Sequence, residues 1–149
     1  MSASAACGTN GDTTIDLTHD ACAPLALITA GAASATQLDG MQGAEALWRD
    51  RGAPALGLRA GLTLEVRFEA AAAPFHGVYD DHQGVIYINQ DITNQTTLSI
   101  VIAHELGHAF GLFHVPASER ISLMNPGNLT TPPTTADQAA LAALWGSCD

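Results

Sequence analysis

The chain has 149 residues, 47% of them apolar and only 13% charged, a balance that favours one packed domain and excludes intrinsic disorder. Fifteen Asp and Glu face five arginines (Arg49, Arg51, Arg59, Arg67 and Arg120) and no lysine; the net charge of −10 repels phosphate backbones and anionic lipid, which argues against a nucleic-acid partner. No window approaches about 18 consecutive apolar residues, so no membrane-spanning segment is expected, and the N-terminal residues lack the apolar core of a signal peptide.

In chain order, residues 1–12 are small and polar and read as a flexible lead. Thr13 to Leu17 and, after Pro24, Leu25 to Thr29 read as short strands. From Thr36 to Arg51 the residues Leu38, Met41, Ala44, Glu45, Leu47 and Trp48 fall near helical spacing, with Gly52 as a stop. Leu62, Leu64, Val66 and Phe68 alternate with Thr63, Glu65 and Arg67, the period of a half-buried strand. His76, Asp80, Asp81 and His82 read as one loop, and Val85 to Asn89 as the next strand. Leu98, Val101, Ile102, Leu106, Ala109 and Phe110 mark a largely buried helix from Thr97 to Phe110, ended by Gly111. A last helix starts near Thr135, with Thr135 and Gln138 as a capping box, and runs to about Trp145.

The chemistry is concentrated at the end of the buried helix, in His104-Glu105-Leu106-Gly107-His108-Ala109-Phe110-Gly111-Leu112-Phe113-His114. A spacing of four stacks the imidazoles of His104 and His108 on one helical face, the geometry by which two side chains reach one tetrahedral Zn²⁺. Gly111 tolerates a positive φ, so the chain can turn sharply and bring His114 back as a third ligand, leaving one coordination position open for water. Glu105 would sit beside that water as general base. Composition alone would produce this spacing in roughly 3 of 100,000 such chains.

These residues resemble the signature of the metzincin metalloproteases, HExxHxxGxxH followed by a methionine-bearing turn. The resemblance implies that His104, His108 and His114 hold zinc, that Glu105 is the general base and that Gly111 is the hinge. Ten residues past His114, Ser122-Leu123-Met124-Asn125-Pro126 resembles the Met-turn, with Met124 as an apolar floor beneath the imidazoles. Val115 after the third histidine matches no subgroup, but the Met-x-Pro turn and Asp137 entering the last helix are most similar to matrixins, so the chain reads as a small matrixin-like metzincin. The implied fold is α/β (α+β) and covers residues 1–149 as a single domain. A twisted mixed sheet with two helices forms an upper subdomain, about 13–111; an irregular lower subdomain with a C-terminal helix spans about 112–149.

The resemblance further implies a zinc-dependent endopeptidase acting on proteins or peptides, with a latent or non-catalytic zinc-containing peptide-binding module as the alternative. It implies that Gly84 to Asn89 lies along the cleft, with Val85, Ile86 and Tyr87 offering unpaired edge amides to substrate main chain. The loop from Asn125 to Thr134 resembles the wall of the S1′ pocket. His76, Asp80, Asp81 and His82 offer a site for a second metal, calcium or zinc, against the plain reading of a solvated loop. The N-terminus admits several readings. Cys7-Gly8 is similar to the cysteine switch of matrixin zymogens, Gly11-Asp12 to the aspartate switch of astacins, and Ser4 to Cys7 to a lipobox with a lipid anchor at Cys7; a flexible tail with a free thiol is the plain reading. An extracytoplasmic setting, secreted or in the cell envelope, is expected, with any signal segment outside this chain. In such an oxidising compartment Cys22 would pair with Cys148, because joining an early segment to the last helix closes a long loop and restrains the unfolded chain.

Overall fold

The computed structural model describes residues 14–149. The reading of residues 1–12 as a lead, the first residue of the strand expected from Thr13, and the readings placed on Ser4 to Cys7, Gly8, Gly11 and Asp12 lie outside these residues. Seven elements follow in order: β1 (Leu25–Ile28), α1 (Ala35–Arg49), β2 (Leu62–Glu69), β3 (Gly77–Asp80), β4 (Val85–Asn89), α2 (Gln95–Ala109) and α3 (Thr135–Trp145). The strands form one mixed sheet in the order β1-β2-β4-β3, with β1, β2 and β4 parallel and β3 antiparallel to β4.

Alternation in β2 buries Leu64 and Val66, which join Tyr79, Ile86 and Ile88 in a core covered by α1 and α2. Ser34 and Gln37 cap α1 reciprocally, and Met41, Ala44 and Trp48 carry its buried stripe. Trp48 fastens the two helices together: its indole N–H donates to the Ala103 carbonyl of α2 at 2.9 Å, and its ring meets Phe110 edge-on at 5.8 Å. Leu98 to Ala109 of α2 are all buried, so this helix is the centre of the molecule and not a surface element. Among the described residues no helix is long and apolar enough to cross a membrane.

Four expectations need correction. Residues 14–17 form no strand; this segment is tied to the sheet by isolated bonds, Leu17 N–H to the Asp81 carbonyl at 3.0 Å and the Tyr79 hydroxyl to the Leu17 carbonyl at 2.7 Å. Gly77 to Asp80, read as loop, is a strand, made by antiparallel pairing with β4 across a tight turn closed by Gly84 at φ +72°. Four residues led by glycine carry too little periodicity to show this in advance. Consequently Val85, Ile86 and Tyr87 are not edge residues: β4 is paired with β2 on one side and β3 on the other, and its amides are not open to a peptide. The free edge beside β4 belongs to β3. Finally, the cap of α3 sits one residue earlier than expected, with Thr134 and Asp137 as the capping box.

Cys22 and Cys148 form a disulfide with 5.1 Å between their α-carbons, joining the segment before β1 to the chain beyond α3 across 126 positions. Closing so long a loop restrains the unfolded chain by about 4–5 kcal/mol in the chain-entropy treatment. Replacing both cysteines by alanine should therefore lower stability by about 3–5 kcal/mol, read as a fall in the urea midpoint with a steeper slope, because the unlinked unfolded chain exposes more surface.

Glu45 of α1 is a second buried tie, accepting the Leu27 N–H of β1 at 3.0 Å. Burial raises its carboxyl above the ordinary range, against the opposing pull of the Leu27 N–H, Arg49 and Arg59. A raised folded value means that the folded state holds the proton more tightly, so stability falls as pH rises through that value. Gln keeps an acceptor for Leu27 and does not ionise. The urea midpoint of Glu45→Gln relative to wild type should thus rise between pH 4 and pH 8, a comparison that tests the sign directly.

Candidate active site

Helix α2 begins at Asn94, whose side chain accepts the Thr97 N–H at 3.0 Å, and presents His104, Glu105 and His108 on its last two turns. The rings of His104 and His108 stand 4.9 Å apart, as four-residue spacing requires. Just past the helix the chain turns at Gly111, φ +100°, with Gly111 N–H donating to His108 and Leu112 N–H to Gly107. This turn returns His114 to within 5.4 Å of His104 and 4.8 Å of His108, measured between ring centres. Ring nitrogens from all three lie within 4.8 Å of one another.

The direction in which the rings point is set by the backbone. His104 Nδ1 lies 2.7 Å from the Leu123 carbonyl and His108 Nδ1 2.7 Å from the Leu112 carbonyl. A carbonyl only accepts, so each Nδ1 carries the proton and each Nε2 keeps a lone pair. Burial lowers the proton affinity of all three imidazoles, His104 to about 4 and His108 well below the usual histidine range, and the neighbouring rings add to the effect on His104 and His108. The buried His104 Nε2 has no hydrogen-bond partner. A buried nitrogen lone pair left without a donor, beside two further neutral imidazoles, is a donor set suited to a divalent transition metal, zinc above all.

Glu105 is buried beside the first histidine and points to the sheet, where its Oε1 accepts the Tyr79 N–H at 3.0 Å. Burial pushes its carboxyl well up, opposed by that one N–H.

In the turn after the third histidine, Met124 is 1% exposed. It packs against Gly107, where a Cβ would come within 2.5 Å of the Met124 sulfur, so glycine is what lets the turn lie against the helix. Asp137 holds this turn from α3. One of its carboxylate oxygens accepts the Ser122 hydroxyl and the other the Leu123 N–H at 2.9 Å, while the Ser122 oxygen accepts the Met124 N–H at 2.9 Å. On the opposite side Asn125 donates to the carbonyls of Val115 and Arg120, both at 2.9 Å, joining the turn to the chain that carries His114. The Leu123 peptide unit therefore links Asp137, through its N–H, to His104, through its carbonyl.

The three predicted histidines, His104, His108 and His114, are thus brought together, with Glu105 next to His104 in the helix, Gly111 at the turn and Met124 packed on Gly107, whereas Val85, Ile86 and Tyr87 lie inside the sheet. Of the loop carboxylates and imidazoles, Asp81 and His82 gather with Asp16, but His76 and Asp80 do not join them. His76 precedes β3 and Asp80 ends it, an extended span of roughly 13 Å, and Asp80 is engaged by the turn amides of His82 and Gln83. In the sequence Asp137 is visible only as a likeness at a helix start and Asn125 only as a member of the Met-turn and pocket-wall segments, and nothing there points to Tyr79. A buried N3 carboxylate is the signal for the first; backbone donors carry no signal in side-chain identity.

The family profile described as Matrixin matches residues 29–146, spanning every element from α1 to α3. No curated protein matches the sequence. Among solved structures the chain is similar to two of myroilysin. One aligns with a TM-score of 0.58 at 11% identity, covering 87% of this chain and 82% of that one; the other aligns with a TM-score of 0.54 at 13% identity, covering 93% and 86%. At these identities the likeness shows a shared fold, in agreement with the mixed four-stranded sheet and three helices. The profile match covers most of the chain, and the protein belongs to the matrixin family of metallopeptidases.

Proposed function

We propose that this protein is a zinc-dependent endopeptidase that cleaves proteins or peptides in an extracytoplasmic setting. The observation that carries the reading is the convergence of three imidazoles, two with their Nδ1 protons held by backbone carbonyls, beside a buried carboxylate. His104, His108 and His114 would hold the zinc. The ion, when bound, supplies a Lewis-acid charge that makes water acidic enough to act as a nucleophile near neutral pH and polarises the scissile carbonyl. Glu105 takes the proton that water releases as its oxygen adds to the scissile carbon, and then delivers it to the amide nitrogen, so that the peptide C–N bond breaks after the C–O bond has formed and the carboxylate is regenerated. The Cys22–Cys148 disulfide supports an oxidising compartment.

Substrate main chain would lie along β3. In this strand the carbonyls of His76 and Asp80 accept from Asn89 and Gly84, facing β4, so alternation turns the N–H and C=O of Gly77 and the C=O of Tyr79 to the open edge. Main-chain pairing at such an edge binds extended peptide with little demand on its side chains.

Metal analysis of the purified protein paired with a peptide-library digest, with and without chelator, tests the proposal. One zinc per chain and cleavage abolished by chelator and restored by zinc are expected. Glu105→Ala should retain the zinc and lose at least about 100-fold in kcat; cleavage at the wild-type rate would remove Glu105 from its role. Asp137→Ala leaves the Leu123 peptide unit, and through it His104, without its support. Its zinc affinity should fall about 10–100-fold in competition titrations with a chromophoric chelator.

A further inference from the structure

We infer that Tyr79 is a positioning residue for the general base, acting through its backbone N–H, which locks one oxygen of Glu105 against the sheet edge. This rests on the peptidase reading above, since it assigns a role to the residue that holds the proposed base.

The geometry is specific. His76, just before β3, and Val78 and Asp80 within it are in register to bond β4; the pairs Gly77 with Ile88 and Tyr79 with Ile86 are the ones that do not exchange ladder bonds. The Tyr79 N–H is therefore surplus to the sheet, and it donates to Glu105 Oε1 at 3.0 Å. Its place is fixed from both ends of the residue. The Tyr79 ring is 1% exposed and its hydroxyl, kept protonated by burial, donates to the Leu17 carbonyl at 2.7 Å, so the side chain anchors the strand. Two residues earlier, Gly77 provides the clearance. A Cβ there would lie 2.9 Å from the Tyr87 carbonyl oxygen and 3.0 Å from Ile88, so a bare backbone lets β3 pair this closely with β4, while Glu105 Cγ stands at van der Waals distance, 3.4 Å, beyond it.

The consequence is a division of labour between the two oxygens of Glu105. Oε1 is taken by a neutral donor that has no proton to exchange in the reaction; the other oxygen is left to receive the proton of water and pass it to the amine. A carboxylate free to rotate would offer either oxygen in many orientations, and pre-orientation removes that search from the chemical step. The edge strand accordingly has two tasks: Gly77 meets the substrate and Tyr79 aims the base.

The test removes this one N–H. In the full chain, Tyr79 is replaced by its α-hydroxy acid through nonsense suppression, turning the amide into an ester with the side chain intact. The sheet loses no ladder donor, and the Val78 carbonyl still accepts, more weakly as an ester, so the circular dichroism spectrum should match that of wild type. kcat should fall about tenfold, with KM within about twofold and zinc content unchanged; an unchanged kcat overturns the proposal. A second measurement does not depend on turnover. In ¹H–¹⁵N spectra the Tyr79 amide proton should move upfield in Glu105→Ala and stay near its wild-type position in Glu105→Gln, whose carbonyl still accepts. Equal positions in Glu105→Ala and wild type overturn the clamp, and this comparison decides the matter if the ester variant does not fold. Zinc-loaded wild type that cleaves nothing would instead refute the peptidase reading, leaving the amide shifts to judge the clamp separately.

Discussion

The arrangement depends on two backbone carbonyls accepting protons from histidine rings. Leu112 holds Nδ1 of His108 and Leu123 holds Nδ1 of His104, both at 2.7 Å, and these bonds alone decide that the lone pairs face inward. An imidazole in the other tautomer, with its proton on Nε2, would place an N–H in the centre and repel a cation. The carbonyls lie outside the helix that carries the rings, so the histidine pair of α2 is incomplete until the chain after Gly111 has wrapped around it.

The rest of the molecule can be understood as keeping those carbonyls still. The Leu112 carbonyl is placed by the helix-terminating turn at Gly111, a local device. The Leu123 carbonyl is far away in sequence, accepts the Asn128 side-chain N–H at 3.1 Å, and is placed from three further directions. Asp137 grips the Leu123 N–H from α3, Asn125 ties the turn to the strand of chain carrying His114, and Met124 seats the turn on Gly107. Asp137 serves at once as the helix cap of α3 and as this support, so the helix and the turn are ordered by one carboxylate. The disulfide beyond α3 then restrains the end of that helix against the beginning of the fold.

Above the histidines the opposite face of α2 meets the sheet, and here the strand order matters. Because β4 is interior and β3 is the edge, Glu105 looks at a strand with donors to spare. A sheet in which β4 were the last strand would present the carboxylate with different amides. The misplacement of Val85, Ile86 and Tyr87 shows how little a strand's own residues say about its neighbours: VIYIN is apolar enough to be buried on both sides, and it is flanked on both sides.

What the sequence determined by itself was whatever depends on local spacing. The helical period of α1 and α2, the alternation of β2, the stop at Gly111 and the three histidines at fixed intervals are properties of neighbouring residues, and they survive into the structure nearly unchanged. Tertiary structure decided whatever depends on partners distant along the chain: that residues 14–17 join no ladder, that Gly77 to Asp80 becomes a strand, and that Asp81 and His82 gather with Asp16 and not with His76. The physical reason is that a backbone N–H or C=O is the same group at every position. Which of them meets Glu105, His104 or Asp137 is settled by how the elements pack, and residue identity carries no trace of it.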